Sequence, residues 1–108
     1  PVIIEDGAFL GGNTGVYEGV LIGAGAVLAS GVVLSATTPL YDLVSETKLS
    51  GTSDSPLQVP PGAVVIPGSR AINSDFARAE GLSASCALIV KYRDEGTDVR
   101  TALEEALR

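Results

Sequence analysis

Residues 4 to 40 have the sequence IEDGAFLGGNTGVYEGVLIGAGAVLASGVVLSATTPL, in which every sixth residue is aliphatic. These aliphatic positions are Ile4, Leu10, Val16, Ile22, Leu28, Leu34 and Leu40. The position four residues further on is small or β-branched, at Ala8, Thr14, Val20, Ala26, Val32 and Thr38. The residue directly after the aliphatic one is often small, as at Gly11, Gly23, Ala29 and Ser35. A six-residue repeat therefore organises this part of the chain.

Neither common secondary structure has a period of six. An α-helix places apolar residues three and four apart, and a half-buried strand alternates every second residue. A period of six is typical of a short strand and a sharp bend, repeated without loops. Three such segments form a triangular coil, and the fourth lies beside the first as a parallel strand about 4.8 Å away. We therefore predict a mainly β protein, a parallel β-helix of hexapeptide repeats with aliphatic side chains stacked inside.

The repeat is interrupted after Leu40 and resumes near Val59. The interruption predicts an insertion at about residues 41–58, made of a hairpin of two short strands and a polar loop. Val59 and Val65 restore the spacing, so that a further partial coil is expected and the β-helical region is predicted to span residues 1–68.

Residues 69–108 lack the repeat and are predicted to form a C-terminal extension. The first predicted element is a short helix that begins after Ser74 as N-cap and stops at Gly81. A strand at 87–90 follows. The last predicted element is a helix that is capped by Thr97 or Asp98 and carries Val99, Leu103 and Leu107 on one face. We expect the final helix to lie over the last coil and to shield its open edge.

The composition limits the functions that this chain can have. Its net charge of −6 disfavours nucleic acid, whose phosphates need clustered Lys and Arg. No apolar run approaches the roughly 20 residues that cross a membrane. The single cysteine, Cys86, fits a reducing cytoplasm, and its apolar neighbours predict a small buried residue. Because the chain begins at Pro1, we interpret it as part of a longer protein, and we expect this part alone to be inactive and prone to associate.

Four blocks of the chain resemble tetrahydrodipicolinate N-succinyltransferases. In order, they are PVIIED at 1–6, VYEG at 16–19, VPPGAVV at 59–65 and CALIVK at 86–91. The resemblance implies that the coil is left-handed and that the chain is the C-terminal half of a cytoplasmic homotrimer with active sites in clefts between adjacent β-helices. It also implies succinyl-CoA as cosubstrate, no permanently bound cofactor and no metal. The implied acceptor is a cyclic imine dicarboxylate that opens to a free amine, in diaminopimelate and lysine biosynthesis.

Glu18 is the candidate catalytic residue. It lies in a predicted turn before Gly19, and the resemblance aligns it with a carboxylate implicated in catalysis. Amide formation from a thioester requires a deprotonated amine, which a carboxylate can assist as general base or hold as an ammonium before proton loss. From the residues alone, a solvated turn carboxylate is the alternative. The chain has no His, which weakens the His-dependent acetyltransferases and a zinc carbonic anhydrase as alternatives unless their His lies outside this chain.

The remaining candidate residues concern substrate and donor. Asn13 and Tyr17 are the candidate substrate-binding residues. Many relatives have Gly-Ala-Arg-Ser-Glu in the stretch that contains Asn13, and this chain lacks the Arg, so a substrate contact made by that Arg in relatives is in doubt here. The amides of pantetheine are expected along small residues with reachable backbone, namely Ala29, Ser30, Gly31, Ala36, Gly68 and Ser69. Lys91 or Arg70 is the candidate for phosphate charge. The alternative explanation for each Gly is tight turning of the coil.

Two other functions fit the same pattern. One is another hexapeptide-repeat CoA acyltransferase with a different acyl donor. The other is a noncatalytic β-helix that serves as an assembly module. A cleft-facing Glu18 beside Tyr17 favours an enzyme, because a scaffold does not need this pair.

Overall fold

A computed structural model describes residues 1–94 and 98–107 of the chain. The first coil contains β1 (Ile3–Ile4), β2 (Phe9–Leu10) and β3 (Gly15–Val16). The second contains β4 (Val20–Ile22), β5 (Val27–Leu28) and β6 (Val33–Leu34). A hairpin of β7 (Leu40–Asp42) and β8 (Thr47–Leu49) follows, and then β9 (Leu57–Val59) and β10 (Ala63–Ala71) form a third, partial coil. After β10 come α1 (Asp75–Glu80), β11 (Ser83–Tyr92) and α2 (Val99–Ala106).

Strand pairing shows that the coils stack as the repeat predicts. Aliphatic residues of the first coil pair in parallel with those eighteen positions later: Ile4 with Ile22, Leu10 with Leu28, and Val16 with Leu34. In the same way, β9 adds to β4 and β10 adds to β5. Eighteen residues are three hexapeptides, so three flat sides make one coil. The prediction of a mainly β protein with parallel, hexapeptide-repeat strands is confirmed.

The interior of the coils is a column of aliphatic side chains. Its fully buried members include Ile22, Leu28, Leu34, Leu40, Val59 and Val65. Burial of one such side chain contributes about 1.5–3 kcal/mol. Leu10 and Val16 are half-buried and pack against this column, whereas Ile4 is 47 % exposed. Ile4 is in register with Ile22 but stays exposed, because β1 pairs with β4 on one side only in the described part of the chain.

Small residues occupy the bends for a steric reason. A Cβ atom on Gly11 would lie 2.7 Å from the backbone nitrogen of Ser30 in the next coil. A Cβ atom on Gly23 would lie 2.6 Å from both the Val59 carbonyl oxygen and the Pro61 nitrogen. Stacked bends therefore leave no room for a side chain at Gly11 and Gly23.

The insertion leaves the coil after β6 and returns to it at β9. β7 pairs antiparallel with β8, with Tyr41 opposite Lys48, and its other edge pairs in parallel with β11. The chain re-enters the coil where the Leu57 N–H donates to the Gly19 carbonyl oxygen, at 2.8 Å. The insertion thus begins and ends at the corner of the coil that also contains Gly19.

The C-terminal extension is built on a long antiparallel pair. β10 and β11 pair from Ala63 opposite Tyr92 to Ala71 opposite Ser83. Both are longer than predicted from sequence, because each satisfies the backbone hydrogen bonds of the other beyond the end of the repeat. The short helix α1 is confirmed: the Ala77 N–H donates to Ser74 Oγ at 3.1 Å, and Gly81 ends the helix with a φ of 68°.

The final helix differs from expectation in its position. Val99 and Leu103 of α2 pack with Val27 and Val64, on the outer side of the sheet that contains β5 and β10. The open edge of β10 is instead covered by β11, so the prediction that the helix shields this edge is wrong. The prediction that Leu107 shares a helix face with Val99 and Leu103 is wrong, because α2 ends at Ala106 and Leu107 is its exposed C-cap residue. Asp98 is the N-cap residue without a side-chain capping bond, and Thr97 lies outside the described residues.

Candidate functional site

Glu18 lies in a tight turn that joins β3 to β4. Gly19 follows it with a φ of 90°, which L side chains rarely adopt. A Cβ atom on Gly19 would lie 2.7 Å from Ala36 Cβ, so the turn rests directly against Ala36 of the second coil. The Glu18 side chain is 88 % exposed. Its backbone is therefore fixed by the coil, while its carboxylate is open to solvent.

Tyr17 lies flat against the outer surface of β3. A Cβ atom on Gly15 would lie 2.9 Å from Tyr17 Cε2 and 3.5 Å from Val33 Cγ1, so the missing side chain of Gly15 makes room for the ring. Tyr17 and Val33 remain 59 % and 51 % exposed. Together they form an apolar surface directly beside the Glu18 turn.

Asn13 lies at the opposite end of β3 from Glu18. Its φ of 57° marks a left-handed turn between β2 and β3, a conformation that Asn tolerates better than most residues. The adjoining Gly12 carbonyl accepts a hydrogen bond from the Gly31 N–H of the next coil, at 3.1 Å. Asn13 and Glu18 therefore occupy two different corners of the coil, on either side of one flat face.

The largest opening near this face lies between the second coil and the β10–β11 pair. This Gly31–Gly68 cavity has a volume of about 510 Å³ and is lined by Gly31, Val33, Thr37, Thr38, Pro39, Pro67, Gly68, Ser85 and Cys86. It brings together two of the predicted donor-binding residues, Gly31 and Gly68. Cys86 is nearly buried, as predicted, and burial raises the pKa of its thiol.

A second opening continues from the first. This Ala36–Lys48 cavity has a volume of about 250 Å³ and is lined by Ala36, Thr37, Thr38, Pro39, Lys48, Ser50 and Gly51. The segment 37–39 is the wall that both cavities share. Two hydrogen bonds of 2.9 Å hold this segment: Thr38 Oγ1 accepts one from the Ser35 N–H and shares the other with Ser35 Oγ.

The two cavities and the Glu18 turn therefore form one continuous surface. The turn touches Ala36, Ala36 lines the smaller cavity, and the segment 37–39 leads to the larger one. A third cavity, of about 490 Å³, lies beside Gly7, Gly25, Gly62 and Arg93. It occupies the corner between β4 and β5, away from Glu18.

The other predicted donor residues have different surroundings. Ala29 is 1 % exposed and its N–H donates to the Val65 carbonyl, so neither its side chain nor its N–H faces a cavity. Ser30 and Ser69 are exposed next to Gly31 and Gly68, respectively. Lys91 forms an ion pair with Glu105 of α2, on the outer side of the sheet.

The sequence analysis missed most of the residues that line the two cavities, among them Thr37, Thr38 and Lys48. Thr37 and Thr38 lie in the last hexapeptide, and Lys48 lies in the insertion, whose position relative to the coil the repeat does not specify. Ser35-Ala36-Thr37-Thr38 is a run of small and hydroxyl-bearing residues at the end of the repeat. This run of small and hydroxyl-bearing residues could have predicted a segment whose backbone is accessible to a ligand.

Metal and membrane sites were also sought. Over residues 1–94 and 98–107, no group of three or more His, Cys, Asp or Glu side chains is placed to hold a metal ion. Neither helix of this part of the chain is long and apolar enough to cross a membrane.

Comparison with known proteins agrees with the geometry of the coil. A family model described as the hexapeptide repeat of succinyl-transferase matches residues 1–36, which include the Glu18 turn. The chain is 41 % identical over its 108 residues to the 2,3,4,5-tetrahydropyridine-2,6-dicarboxylate N-succinyltransferase of Parvibaculum lavamentivorans, and 42 % identical to that of Zymomonas mobilis. The chain is homologous to these N-succinyltransferases. It is also 44 % identical to Protein TabB of Pseudomonas amygdali pv. tabaci.

The homology to N-succinyltransferases covers all of this chain but a part of each relative. The matched region is 100 % of the chain and 36 % of the Parvibaculum enzyme and of Protein TabB, and 37 % of the Zymomonas enzyme. The chain thus spans about a third of the length of these relatives. The resemblance to N-succinyltransferases is confirmed, and these relatives are by name acyltransferases. The expectation that the chain is one half of such an enzyme is wrong, because it matches 36–37 % of their length.

Proposed function

We propose that the protein to which this chain belongs is a succinyl-CoA-dependent N-acyltransferase. Its acceptor is a tetrahydrodipicolinate-type amino dicarboxylate of diaminopimelate and lysine biosynthesis. The observation that carries the proposal is the match of all 108 residues, at 41 % identity, to an enzyme named for this reaction. The hexapeptide coil supports it, because the family model for residues 1–36 is named for succinyl-transferases.

The proposal includes an assembly. The coil is left-handed, and three cytoplasmic copies associate so that each active site lies in a cleft between adjacent coils. The exposed positions of Tyr17, Glu18 and Val33 support this arrangement. A cleft closed by a second coil would cover the apolar surface and would remove Glu18 from bulk water.

Glu18 acts on the amine in this proposal. The acceptor nitrogen attacks the thioester carbon, the carbon–sulfur bond breaks, and CoA leaves as the thiolate while the nitrogen loses a proton. A carboxylate beside the nitrogen accepts that proton or holds the ammonium before proton loss. The coil fixes the backbone of Glu18 through the Gly19 turn, so the side chain is held at this corner of the coil before substrate binds.

The donor lies along the Gly31–Gly68 cavity. Gly31 has no side chain and has room beside it, so its backbone can approach the amides of pantetheine closely, and Gly68 lines the same path. Ser30 and Ser69 flank this path and Ala36 leads from it to the Glu18 turn, whereas Ala29 supports it from inside the coil. Arg70, which is exposed on β10, is nearer to this path in sequence than Lys91 and is the preferred cation for phosphate. Succinyl-CoA is a cosubstrate, and no permanently bound cofactor is required.

The acceptor lies on the flat face between Asn13 and Glu18. Tyr17 offers an aromatic surface beside Glu18, and Asn13 offers an amide at the far corner for a carboxylate of the substrate.

The experiment is a mass measurement on the whole protein with succinyl-CoA and the acceptor. The proposal expects an acceptor product heavier by one succinyl group, together with free CoA. Efficient transfer of acetyl or another acyl group instead would favour a different hexapeptide acyltransferase. No transfer from any acyl-CoA, with a folded protein, would favour the noncatalytic assembly module.

A further inference from the structure

Lys48 is a cation on the smaller of the two cavities. It lies on β8 and lines the Ala36–Lys48 cavity together with Ala36 and Thr37. Its ammonium stands 5.8 Å from the centroid of the Tyr41 ring, directly across the hairpin. Cation–π contact of this kind restrains a lysine without neutralising its charge.

Three of the other cations of the described chain are held in ion pairs. Arg78 pairs with Asp75, Lys91 with Glu105 and Arg100 with Glu104. Lys48 takes part in none of the ion pairs found among residues 1–94 and 98–107. In a chain with a net charge of −6, an anionic ligand meets few favourable side chains, and a restrained cation at a cavity therefore matters.

Lys48 is also close in the fold to the Glu18 turn. Ala36 touches Gly19 of that turn and lines the cavity that contains Lys48. Lys91, by contrast, is held on the outer side of the sheet by Glu105. Of these two lysines, Lys48 is the one whose cavity adjoins Glu18.

We propose that Lys48 binds the terminal carboxylate of the acyl group and thereby selects a dicarboxylic acyl donor. The inference rests on the proposed function, which places the thioester carbonyl at Glu18. In a succinyl donor, two methylene groups separate that carbonyl from the carboxylate, whereas the phosphates of CoA lie beyond the whole pantetheine arm. A cation whose cavity adjoins the Glu18 turn through Ala36 therefore matches the acyl carboxylate, and the phosphates lie toward the other end of the Gly31–Gly68 cavity.

The test compares succinyl-CoA with butyryl-CoA, which has the same acyl length but no carboxylate. In the whole protein, Lys48→Met is expected to lower kcat/KM for succinyl-CoA by about tenfold, as expected for loss of a charge-assisted hydrogen bond. The value for butyryl-CoA should stay unchanged, and Lys48→Arg should restore most of the succinyl preference. Arg100→Met, which removes an exposed cation of α2, is the matched control and should change neither value.

Two results would overturn the assignment of Lys48. Equal losses with both donors would mean that Lys48 acts on the CoA portion or on folding, and an unchanged preference for succinyl-CoA would mean that it does not bind the acyl group. Calorimetric binding of the two donors separates this question from the proposed function. If the wild-type protein transferred no acyl group, the proposed function would fail. Lys48→Met binding succinyl-CoA tenfold more weakly, with the binding of butyryl-CoA unchanged, would still support the carboxylate site.

Discussion

The Tyr92 hydroxyl donates a hydrogen bond of 2.5 Å to Asp42 Oδ2 and so joins the end of β11 to the insertion hairpin. Asp42 is 4 % exposed, and its other oxygen accepts from the Val44 and Ser45 N–H groups at 2.9 and 3.2 Å. One buried carboxylate thus closes the hairpin turn and ties the hairpin to the C-terminal extension. Because the hairpin also contains Lys48, this contact helps to fix the wall of the Ala36–Lys48 cavity.

Removing the Tyr92 hydroxyl should loosen the hairpin. Tyr92→Phe leaves Asp42 Oδ2 without this donor, at an expected cost of about 1–2 kcal/mol. Hydrogen exchange at the Val44 and Ser45 amides should become roughly tenfold faster. Tyr41→Phe is the control, since the Tyr41 hydroxyl makes no hydrogen bond within the described residues. Equal exchange in the wild-type protein and Tyr92→Phe would show that the contact does not hold the hairpin.

The same pair predicts how stability depends on pH. Burial alone would raise the pKa of the Asp42 carboxyl, but the hydrogen bonds from Tyr92, Ser45 and Val44 outweigh burial and hold its pKa below the ordinary value of 3.8. The stabilisation by Asp42 is therefore present above pH 3.8 and is lost as the pH falls through the lower, folded-state pKa. Burial and the Asp42 carboxylate raise the pKa of Tyr92 from 10.0 to about 12. The contribution of Tyr92 is therefore full below pH 10 and is lost as the pH rises towards 12.

Urea unfolding of the wild-type protein and Asp42→Asn over this pH range measures the effect. The difference in stability between the two should be constant from pH 5 to 9 and should shrink at both extremes. A difference that stays the same at pH 3 would argue against an ionised, hydrogen-bonded Asp42.

Two neighbouring glycines should differ in their tolerance of a methyl group. Gly23→Ala would place Cβ at 2.6 Å from backbone atoms of the third coil, whereas Gly25→Ala would meet nothing within 4 Å. Gly25 has a φ of 70°, so its substitution should cost about 1 kcal/mol of backbone strain. Gly23→Ala should cost about 3 kcal/mol, because rigid backbone must move apart. Thermal unfolding of both variants checks this order, and a milder effect of Gly23→Ala would contradict close stacking of the bends.

The sequence predicted those features that the repeat itself determines. Leu28 and Leu34 are buried because equal positions of successive hexapeptides must stack, and the small residue after each aliphatic position follows from the same geometry. Features that depend on pairing across many residues were not predictable. β10 and β11 reach their full lengths only by pairing with each other. Asp42 and Tyr92 are fifty residues apart, and nothing in the local sequence pattern predicts their hydrogen bond.

The candidate site was predictable to a smaller extent. The turn at Glu18 and the exposure of Gly31 and Gly68 follow from the period and from the glycines. Ala29 is buried and its N–H is bonded to the next coil, which the repeat alone does not show, and its role in donor binding stays a prediction. Lys48 was missed because no rule relates the orientation of an inserted hairpin to the cavity beside the coil.

Glu18→Gln, measured as kcat with saturating succinyl-CoA in the whole protein, tests the central claim most directly. The account predicts that kcat falls by about 100-fold or more, which is the usual contribution of a positioned general base. Glu5→Gln, which changes another exposed turn carboxylate of the first coil at a different corner, should leave kcat unchanged. A Glu18→Gln protein that transfers succinyl groups at the wild-type rate would contradict the account.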